Sequence, residues 1–158
     1  MAEDRVPATV TRLTEADWRE FAALRMQALA EALGTDDPQY RQESSFTAAQ
    51  WRRRLRDHAQ FAVLVDRRPA GLISAHRQDP ESVYLYSLWL DPAVRGHGLA
   101  RPLIEAAVAW ARDQRVTTVT LRVAADNAVA RGVYERVGFR VAGATAGPRH
   151  ELAMSLGV

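Results

Sequence analysis

The clearest chemical pattern in the sequence is a pair of glycines between an apolar run and a helical one. The apolar run ends at Asp91-Pro92, and Gly96 and Gly98 then precede residues with helical apolar spacing. The first N–H groups of a helix lack internal partners and carry the positive end of its dipole, and glycines leave them accessible. The stretch therefore predicts a phosphate-binding turn, or an ordinary strand-to-helix turn whose glycines serve only the backbone.

Two familiar phosphate loops do not fit this stretch. A nucleoside-triphosphate loop ends in Lys followed by Ser or Thr, and the chain contains no lysine. The dinucleotide fingerprint requires a third glycine at the position of Arg101. The pattern that remains is Arg95-x-x-Gly98-x-Ala100, in which Arg95 and Arg101 could add charge-assisted hydrogen bonds to an anion.

A second stretch with chemical meaning follows a β-branched strand. Asp126 or Asn127 is expected to cap a helix that ends at Gly138. Ala130 and Tyr134 lie one turn apart on this helix, so that a small side chain leaves a notch with a hydroxyl at its rim. The alternative is a core helix with a half-buried tyrosine.

Together these stretches resemble the GCN5-related N-acetyltransferase (GNAT) family. Its phosphate loop begins with Gln or Arg, continues with two residues, Gly and one residue, and ends in Gly or Ala, which residues 95–100 match. The run N-x-x-A-x-x-x-Y-x-x-x-G-F at residues 127–139 is similar to a later helix of the family. The resemblance covers nearly the whole chain. It implies an α/β acyl-CoA N-acyltransferase fold, with a mixed, mostly antiparallel sheet, a central parallel strand pair and about four helices.

The resemblance also implies the cofactor and its site. In this family the loop binds the pyrophosphate of acetyl-coenzyme A, which would be a co-substrate. The backbone at the end of strand 82–90 would pair with the pantetheine arm, and Tyr134 would face the sulfur. The residues implied in cofactor binding are Leu88, Trp89, Leu90, Arg95, Gly96, His97, Gly98, Leu99, Ala100, Arg101, Asn127, Ala130 and Tyr134.

The mechanism implied is direct attack of a neutral primary amine on the acetyl thioester. The absence of cysteine agrees with direct transfer. Tyr134 would protonate the departing thiolate. Our candidate base is Glu81, beside a position where several family members carry a glutamate, and Tyr84, Tyr86 and His76 are alternative relays. Without catalysis, the same site would belong to a coenzyme A sensor or interaction module, or the loop to another phosphate-binding enzyme.

The other elements are predicted from hydrophobic spacing, caps and turn residues. The predicted strands are 8–13, 61–66, 70–76, 82–90, 117–123, 140–144 and 150–156, and the predicted helices are 15–33, 48–57, 99–113 and one ending at Gly138. Val129, Val133 and Val137 are expected to form the buried stripe of the last helix. Apolar residues occur at both odd and even positions of strand 82–90, which predicts either that both faces of the strand are covered or that it contains a bulge.

The amine acceptor is expected to contact two variable segments. Residues 35–45 contain Asp-Asp-Pro and are predicted to form a loop. This loop and the final hairpin around Gly147-Pro148 would frame the acceptor pocket for a small-molecule or protein amino-terminal amine. Four side chains of the loop could recognise a cation or simply be solvated: Asp36, Asp37, Tyr40 and Glu43.

Composition and charge limit the number of domains and the kinds of partner that we expect for this protein. A chain of 158 residues that is 47% hydrophobic predicts one N-acetyltransferase domain over residues 1–158. A formal charge of +2 gives no support for a nucleic-acid partner. No apolar run reaches membrane-spanning length, so we expect no membrane partner and a cytoplasmic location. The four histidines are dispersed, which predicts no metal site, and a homodimer is left open.

Overall fold

Seven strands form one sheet in the computed structural model, which describes residues 7–147 and 150–158. The strands are β1 (Ala8–Leu13), β2 (Ala59–Val65), β3 (Arg68–Asp79), β4 (Ser82–Leu90), β5 (Thr118–Ala124), β6 (Arg140–Ala144) and β7 (Glu151–Gly157). Their order is β1-β2-β3-β4-β5-β7-β6, and every pair is antiparallel except β4 and β5. The mixed sheet with one central parallel pair is as predicted.

Five α-helices in the described residues cover the sheet. They are α1 (Trp18–Leu33), α2 (Pro38–Ser44), α3 (Ala48–Asp57), α4 (Ala100–Asp113) and α5 (Ala128–Val137), and 3-10 turns occupy Glu15–Asp17 and Pro92–Val94. None of the helices in the described residues is long and apolar enough to cross a membrane. The helix count exceeds the four expected because α2 occupies the segment predicted to be a loop.

The loop prediction for residues 35–45 was wrong for a local reason. The Asp37 side chain accepts a hydrogen bond of 2.8 Å from the N–H of Gln39, and Pro38 takes the first helical position. Proline suits that position because its missing N–H would have no partner there. Asp-Pro therefore begins a helix here instead of making a turn.

Two hydrophobic layers lie on opposite faces of the sheet. The larger core includes Leu85, Val119 and Leu121 from the central strands and the inward faces of α4 and α5. The smaller core joins α1 and α3 to the other face through Phe21 and Trp51. The side chains of α1–α3 therefore meet a different sheet face from those of α4 and α5.

The central parallel pair is short. Ser82–Tyr84 pair with Thr118–Thr120, and beyond them no described residue of β4 pairs with β5. β4 also carries a bulge, because two residues between Tyr86 and Trp89 face one residue of β3. Ser87 lies in this bulge with φ 56°. The bulge, one of the two alternatives that the mixed alternation left open, is confirmed.

The buried stripe predicted for α5 was wrong at its first residue. Val129 is 80% exposed, whereas Val133 and Val137 are partly buried against the larger core. Tyr134 is the buried residue of this helix, at 8% exposure. A spacing of four identifies residues on the same face of a helix. Val129 is nevertheless exposed, because the first turn of α5 extends beyond the core and borders a cleft beside β4.

Candidate active site

An open cleft follows the free edge of β4 beyond the last residue paired with β5. Two cavities of about 350 and 480 Å³ lie along this edge. Both are lined by Leu88 from the β4 bulge and by Asn127 and Ala130 from the start of α5, so they form one cleft. An unpaired strand edge offers a row of N–H and C=O groups to an extended ligand.

The glycine loop closes one end of this cleft. Gly96 and Gly98 have φ of 85° and 74°, in the left-handed region that glycine adopts without strain. A Cβ atom at either position would meet no heavy atom within 4 Å, so the backbone faces open space. The larger cavity reaches the first residue of α4, Ala100. The predicted residues that line this cavity are Leu88, Trp89, Leu90, Arg95, Gly96, Gly98, Leu99, Ala100, Asn127 and Ala130.

The two arginines beside the glycines are held by carboxylates. The Arg95 guanidinium forms an ion pair with Glu31 on α1 and donates a hydrogen bond of 3.0 Å to the carbonyl oxygen of Leu90. Arg101 lies 3.3 Å from Glu105 in an exposed pair. The hydrogen bond from Arg95 lowers the pKa of Glu31, which keeps that carboxylate charged. Arg95 lines the larger cavity and also ties the loop to α1.

Helix α5 supplies the opposite wall. The side chain of Asn127 caps the helix by accepting a hydrogen bond of 3.1 Å from the N–H of Ala130, as predicted. Ala130 and Tyr134 both line the smaller cavity. Burial, followed by the nearby Tyr84, raises the pKa of Tyr134 to about 12. Its hydroxyl therefore keeps its proton at neutral pH and is a donor.

Glu81 lies away from the cleft. It is an exposed turn residue before β4, and its carbonyl oxygen accepts hydrogen bonds of 2.9 and 3.1 Å from the N–H groups of Thr117 and Thr118. These contacts fix it at the paired end of β4 and β5. Glu81 is absent from the described residues that line either cavity. The structure does not bring it near Tyr134.

Glu43 is not available to recognise a cationic acceptor. It is 3% exposed, and its carboxylate accepts hydrogen bonds of 3.0 and 3.2 Å from Arg25 and of 2.9 Å from Arg54. Arg25 in turn donates a hydrogen bond of 2.7 Å to the hydroxyl of Ser87 in the bulge. This chain of contacts, which we call the Arg25 network, connects α2 to the wall of the cleft. The other predicted frame, the hairpin at Gly147-Pro148, extends outside the described residues.

A second polar group lies beneath β4 on the face of α1–α3. Tyr86 lines the smaller cavity, and its hydroxyl is hydrogen-bonded to Nδ1 of His58. The His58 ring stacks on His76 with 4.1 Å between centroids. The buried side chains of Gln60 and Ser74 are hydrogen-bonded to each other nearby.

His58 was missed by the sequence analysis because no local pattern marks it. It follows α3 as an isolated polar residue, 28 positions from Tyr86 in sequence. Arg25 was missed for the same reason, since its partners Glu43 and Ser87 lie on two other elements, 18 and 62 positions away in sequence. Among the described residues, no three His, Asp or Glu side chains converge as a metal site would require.

The relatives of the chain agree on one family. The family model described as "Acetyltransferase (GNAT) family" matches residues 18–139. A mycothiol acetyltransferase of Rhodococcus erythropolis is 37% identical over 87 residues, which are 50% of this chain and 29% of that protein. The chain thus spans less than a third of the length of this relative. The N-alpha-acetyltransferase RimI of Mycobacterium tuberculosis is 29% identical over 150 residues, covering 90% of this chain and 85% of its own.

A solved structure has the same fold over almost all of the chain. The PaiA N-acetyltransferase of Thermoplasma acidophilum, crystallised with coenzyme A, superposes with a TM-score of 0.74. The superposition covers 96% of this chain and 99% of that one at 15% identity. The family match covers most of the chain, and the fold agrees with it. The chain therefore belongs to the GNAT acetyltransferase family.

Proposed function

We propose that this protein transfers the acetyl group of acetyl-coenzyme A to a primary amine by direct attack. The observation that carries the proposal is the free edge of β4, which lies between a glycine loop and the hydroxyl of Tyr134. Membership of the GNAT family and the acetyltransferase names of the relatives support it. The coenzyme A bound by the Thermoplasma protein supports this choice of co-substrate.

The cofactor follows the cleft in this proposal. The N–H groups from Gly96 to Arg101 bind the pyrophosphate, because Ala100 and Arg101 begin α4, where N–H groups lack partners within the helix, and a Cβ at Gly96 or Gly98 would meet no heavy atom within 4 Å. The pantetheine arm lies along Leu88–Leu90 and pairs with the backbone as an added strand does. Asn127 and Ala130 border it on the other side.

The reacting atoms lie at the smaller cavity. The amine nitrogen bonds to the carbonyl carbon and the C–S bond breaks. A backbone N–H at the bulge beside Ser87 stabilises the negative charge that develops on the carbonyl oxygen, a contribution of about 3–4 kcal/mol in acyl-transfer enzymes. Tyr134 donates its proton to the departing sulfur.

The acceptor approaches from the sheet face that α1–α3 cover. Tyr84 and Tyr86 line the smaller cavity from that face, with Arg122 and Glu151 across the cleft. The names of two relatives, a mycothiol acetyltransferase and an N-alpha-acetyltransferase, favour a small-molecule amine or a protein amino terminus.

Two measurements test the proposal together. Calorimetry measures the affinity for acetyl-coenzyme A, and thiol release is followed with a panel of amines that includes amino acids, polyamines, aminoglycosides and peptides with free amino termini. We expect binding and the acetylation of at least one amine. Binding without turnover on any amine would contradict the enzyme and favour a coenzyme A sensor. Stabilisation by a dinucleotide but not by coenzyme A would contradict the cofactor.

The loop assignment predicts the effect of Gly98→Asp. A carboxylate at this position adds negative charge beside the pyrophosphate, and charges about 4 Å apart repel by about 1–4 kcal/mol between water and a protein surface. We expect coenzyme A affinity to fall at least about tenfold in calorimetry, measured against Gly98→Asn. Asparagine matches the shape and the strain at φ 74° without the charge. Equal affinities of the two variants would remove the pyrophosphate from this loop.

The notch predicts a steric effect of Ala130→Phe. A phenyl ring fills space beside Tyr134 that the pantetheine arm needs, so the KM for acetyl-coenzyme A is expected to rise about tenfold, as for a loss of about 1.4 kcal/mol of binding. Ala128→Phe is the matched control, because Ala128 lies on the exposed first turn of the same helix. Kinetics unchanged in Ala130→Phe would place the cofactor elsewhere.

A further inference from the structure

Tyr86 and His58 connect two separate cavities. Tyr86 lines the smaller cavity of the cleft, where the acetyl group reacts in the proposed function. His58 lines an outer cavity of about 270 Å³ beside α3, together with Phe46, Gln50 and Arg54. The hydrogen bond between the Tyr86 hydroxyl and Nδ1 of His58 is the contact that joins the two.

The surroundings keep His58 ready to accept a proton. The titratable groups that face it are Arg53, Arg54 and Asp57 from α3, His76 from β3 and Tyr86 from β4. Burial lowers the pKa of His58, and its electrostatic interactions with His76 and Arg54 lower it further against the opposing effect of Asp57. The imidazole is therefore neutral at neutral pH. Burial raises the pKa of Tyr86, so its hydroxyl is protonated.

A protonated hydroxyl and a neutral imidazole form the two halves of a proton relay. A tyrosine in this position accepts a proton on its oxygen while its own proton moves to the imidazole, so that its charge does not change. A histidine is the side chain best suited to hold the proton next, because the ordinary pKa of an imidazole lies close to neutral pH. Among the described residues, the smaller cavity that Tyr134 lines also contains the carboxylate of Glu151 but no histidine, and Glu81 lies at the other end of β4.

We propose that Tyr86 and His58 carry the proton of the acceptor amine out of the active site. As the amine nitrogen bonds to the acetyl carbon, its proton passes to the oxygen of Tyr86, and the proton of Tyr86 passes to Nδ1 of His58. The imidazolium then releases a proton from its other nitrogen to water in the outer cavity. The leaving sulfur receives its proton separately from Tyr134. The relay rests on the proposed function and assigns the base that this function requires.

The first test is the pH dependence of kcat/KM with the amine that the wild-type protein acetylates fastest in the panel. In the wild type, activity at low pH is limited by the protonation of His58. We expect His58→Gln to lower kcat/KM about tenfold at pH 7, which is less than the usual general-base effect of about 10²–10⁴ because water provides a slower route. The acidic limb should move to higher pH, and activity should approach the wild-type value above pH 9.

The second test separates a relay from a structural role. Tyr86→Phe breaks the same route, so the double variant Tyr86→Phe/His58→Gln should be no slower than either single variant. His58→Ala opens space at the outer cavity, and added imidazole should restore part of its activity. Coenzyme A affinity, measured by calorimetry, should match that of the wild type in all variants.

Each result decides the proposal. Additive losses in the double variant, an unshifted acidic limb, or no response to imidazole would remove Tyr86 and His58 from proton transfer while leaving acetyl transfer intact. Loss of coenzyme A binding in Tyr86→Phe and in His58→Gln would show that Tyr86 and His58 have a structural role. If no amine of the panel is acetylated by the wild type, the proposed function itself fails and the relay fails with it.

Discussion

Replacement of Glu43 by alanine is expected to lower the free energy of unfolding by about 3–5 kcal/mol. The change removes the carboxylate that accepts hydrogen bonds from Arg25 and Arg54, and Arg25 is itself only 8% exposed. A buried guanidinium without its partner keeps the cost of desolvation and loses the compensating attraction. Urea unfolding followed by tryptophan fluorescence measures the loss, since Trp51 lies in the smaller core.

Glu15→Ala is the matched control for Glu43→Ala. Glu15 pairs with Arg56 at 3.2 Å, but both side chains are about half exposed. Exposed pairs contribute about 0–1 kcal/mol, so this variant should unfold near the wild-type midpoint. Equal, small losses in the two variants would show that the Arg25 network does not hold α2 to the protein.

The same network predicts how stability depends on pH. Burial alone would raise the pKa of Glu43, but hydrogen bonds from Arg25 and Gln39 outweigh it, and the pKa lies below the ordinary value of 4.5. The network is therefore fully stabilising above pH 4.5, and this stabilisation is lost as the pH falls through the lowered pKa of the folded state. Unfolding curves between pH 3 and 6 should show this loss in the wild type, and Glu43→Ala should lack that component.

Tyr134→Phe is expected to lower kcat and kcat/KM together by about 100-fold. General acids contribute about 10²–10⁴, and the low end applies because a coenzyme A thiolate is already a moderate leaving group. The phenyl ring keeps its edge-on packing against Phe139, whose ring centroid lies 5.9 Å away, so coenzyme A affinity should not change. Steady-state kinetics and calorimetry on the same preparations separate the two quantities.

The raised pKa of Tyr134 adds a constraint to this prediction. Burial keeps the hydroxyl protonated up to about pH 12, so the ratio of wild-type to variant rate should be constant from pH 6 to 10. A ratio that falls across this range would show that Tyr134 titrates and acts otherwise. Full kcat in a variant that melts at lower temperature would leave Tyr134 a core residue with a hydroxyl of no catalytic value.

Local sequence patterns were sufficient to predict most helices and strands. They also identified the two segments at the ends of the cleft, the glycine loop and helix α5. Pro102 within the first turn of α4, the Asn127 cap and the left-handed Gly138 all follow from backbone preferences that act over a few residues. The parallel pair follows from the strand–helix–strand order. The bulge was one of two alternatives, because alternation alone does not distinguish a second buried face from an added residue.

Long-range contacts were beyond prediction from one sequence. Glu43 was taken for a loop residue, but it is buried by Arg25, 18 positions earlier in the chain. His58 has no neighbour in sequence that marks a function, and it meets Tyr86 only because β2, β3 and β4 lie side by side. Val129 shares a spacing with core residues, yet it is exposed because the first turn of α5 lines the cleft beside β4.

The bulge at Ser87 divides one strand between two surfaces. Before it, Tyr84 and Tyr86 point to the side of α1–α3, while after it Leu88 and Leu90 point to the larger core on the opposite side. The single added residue thus reverses which alternate side chains of β4 point to each face of the sheet. Substitutions in the first half of the strand can therefore change one sheet face without moving the side chains on the other. If the acceptor binds as in the proposed function, its specificity can change through the first half of β4 while the edge that binds the cofactor is kept.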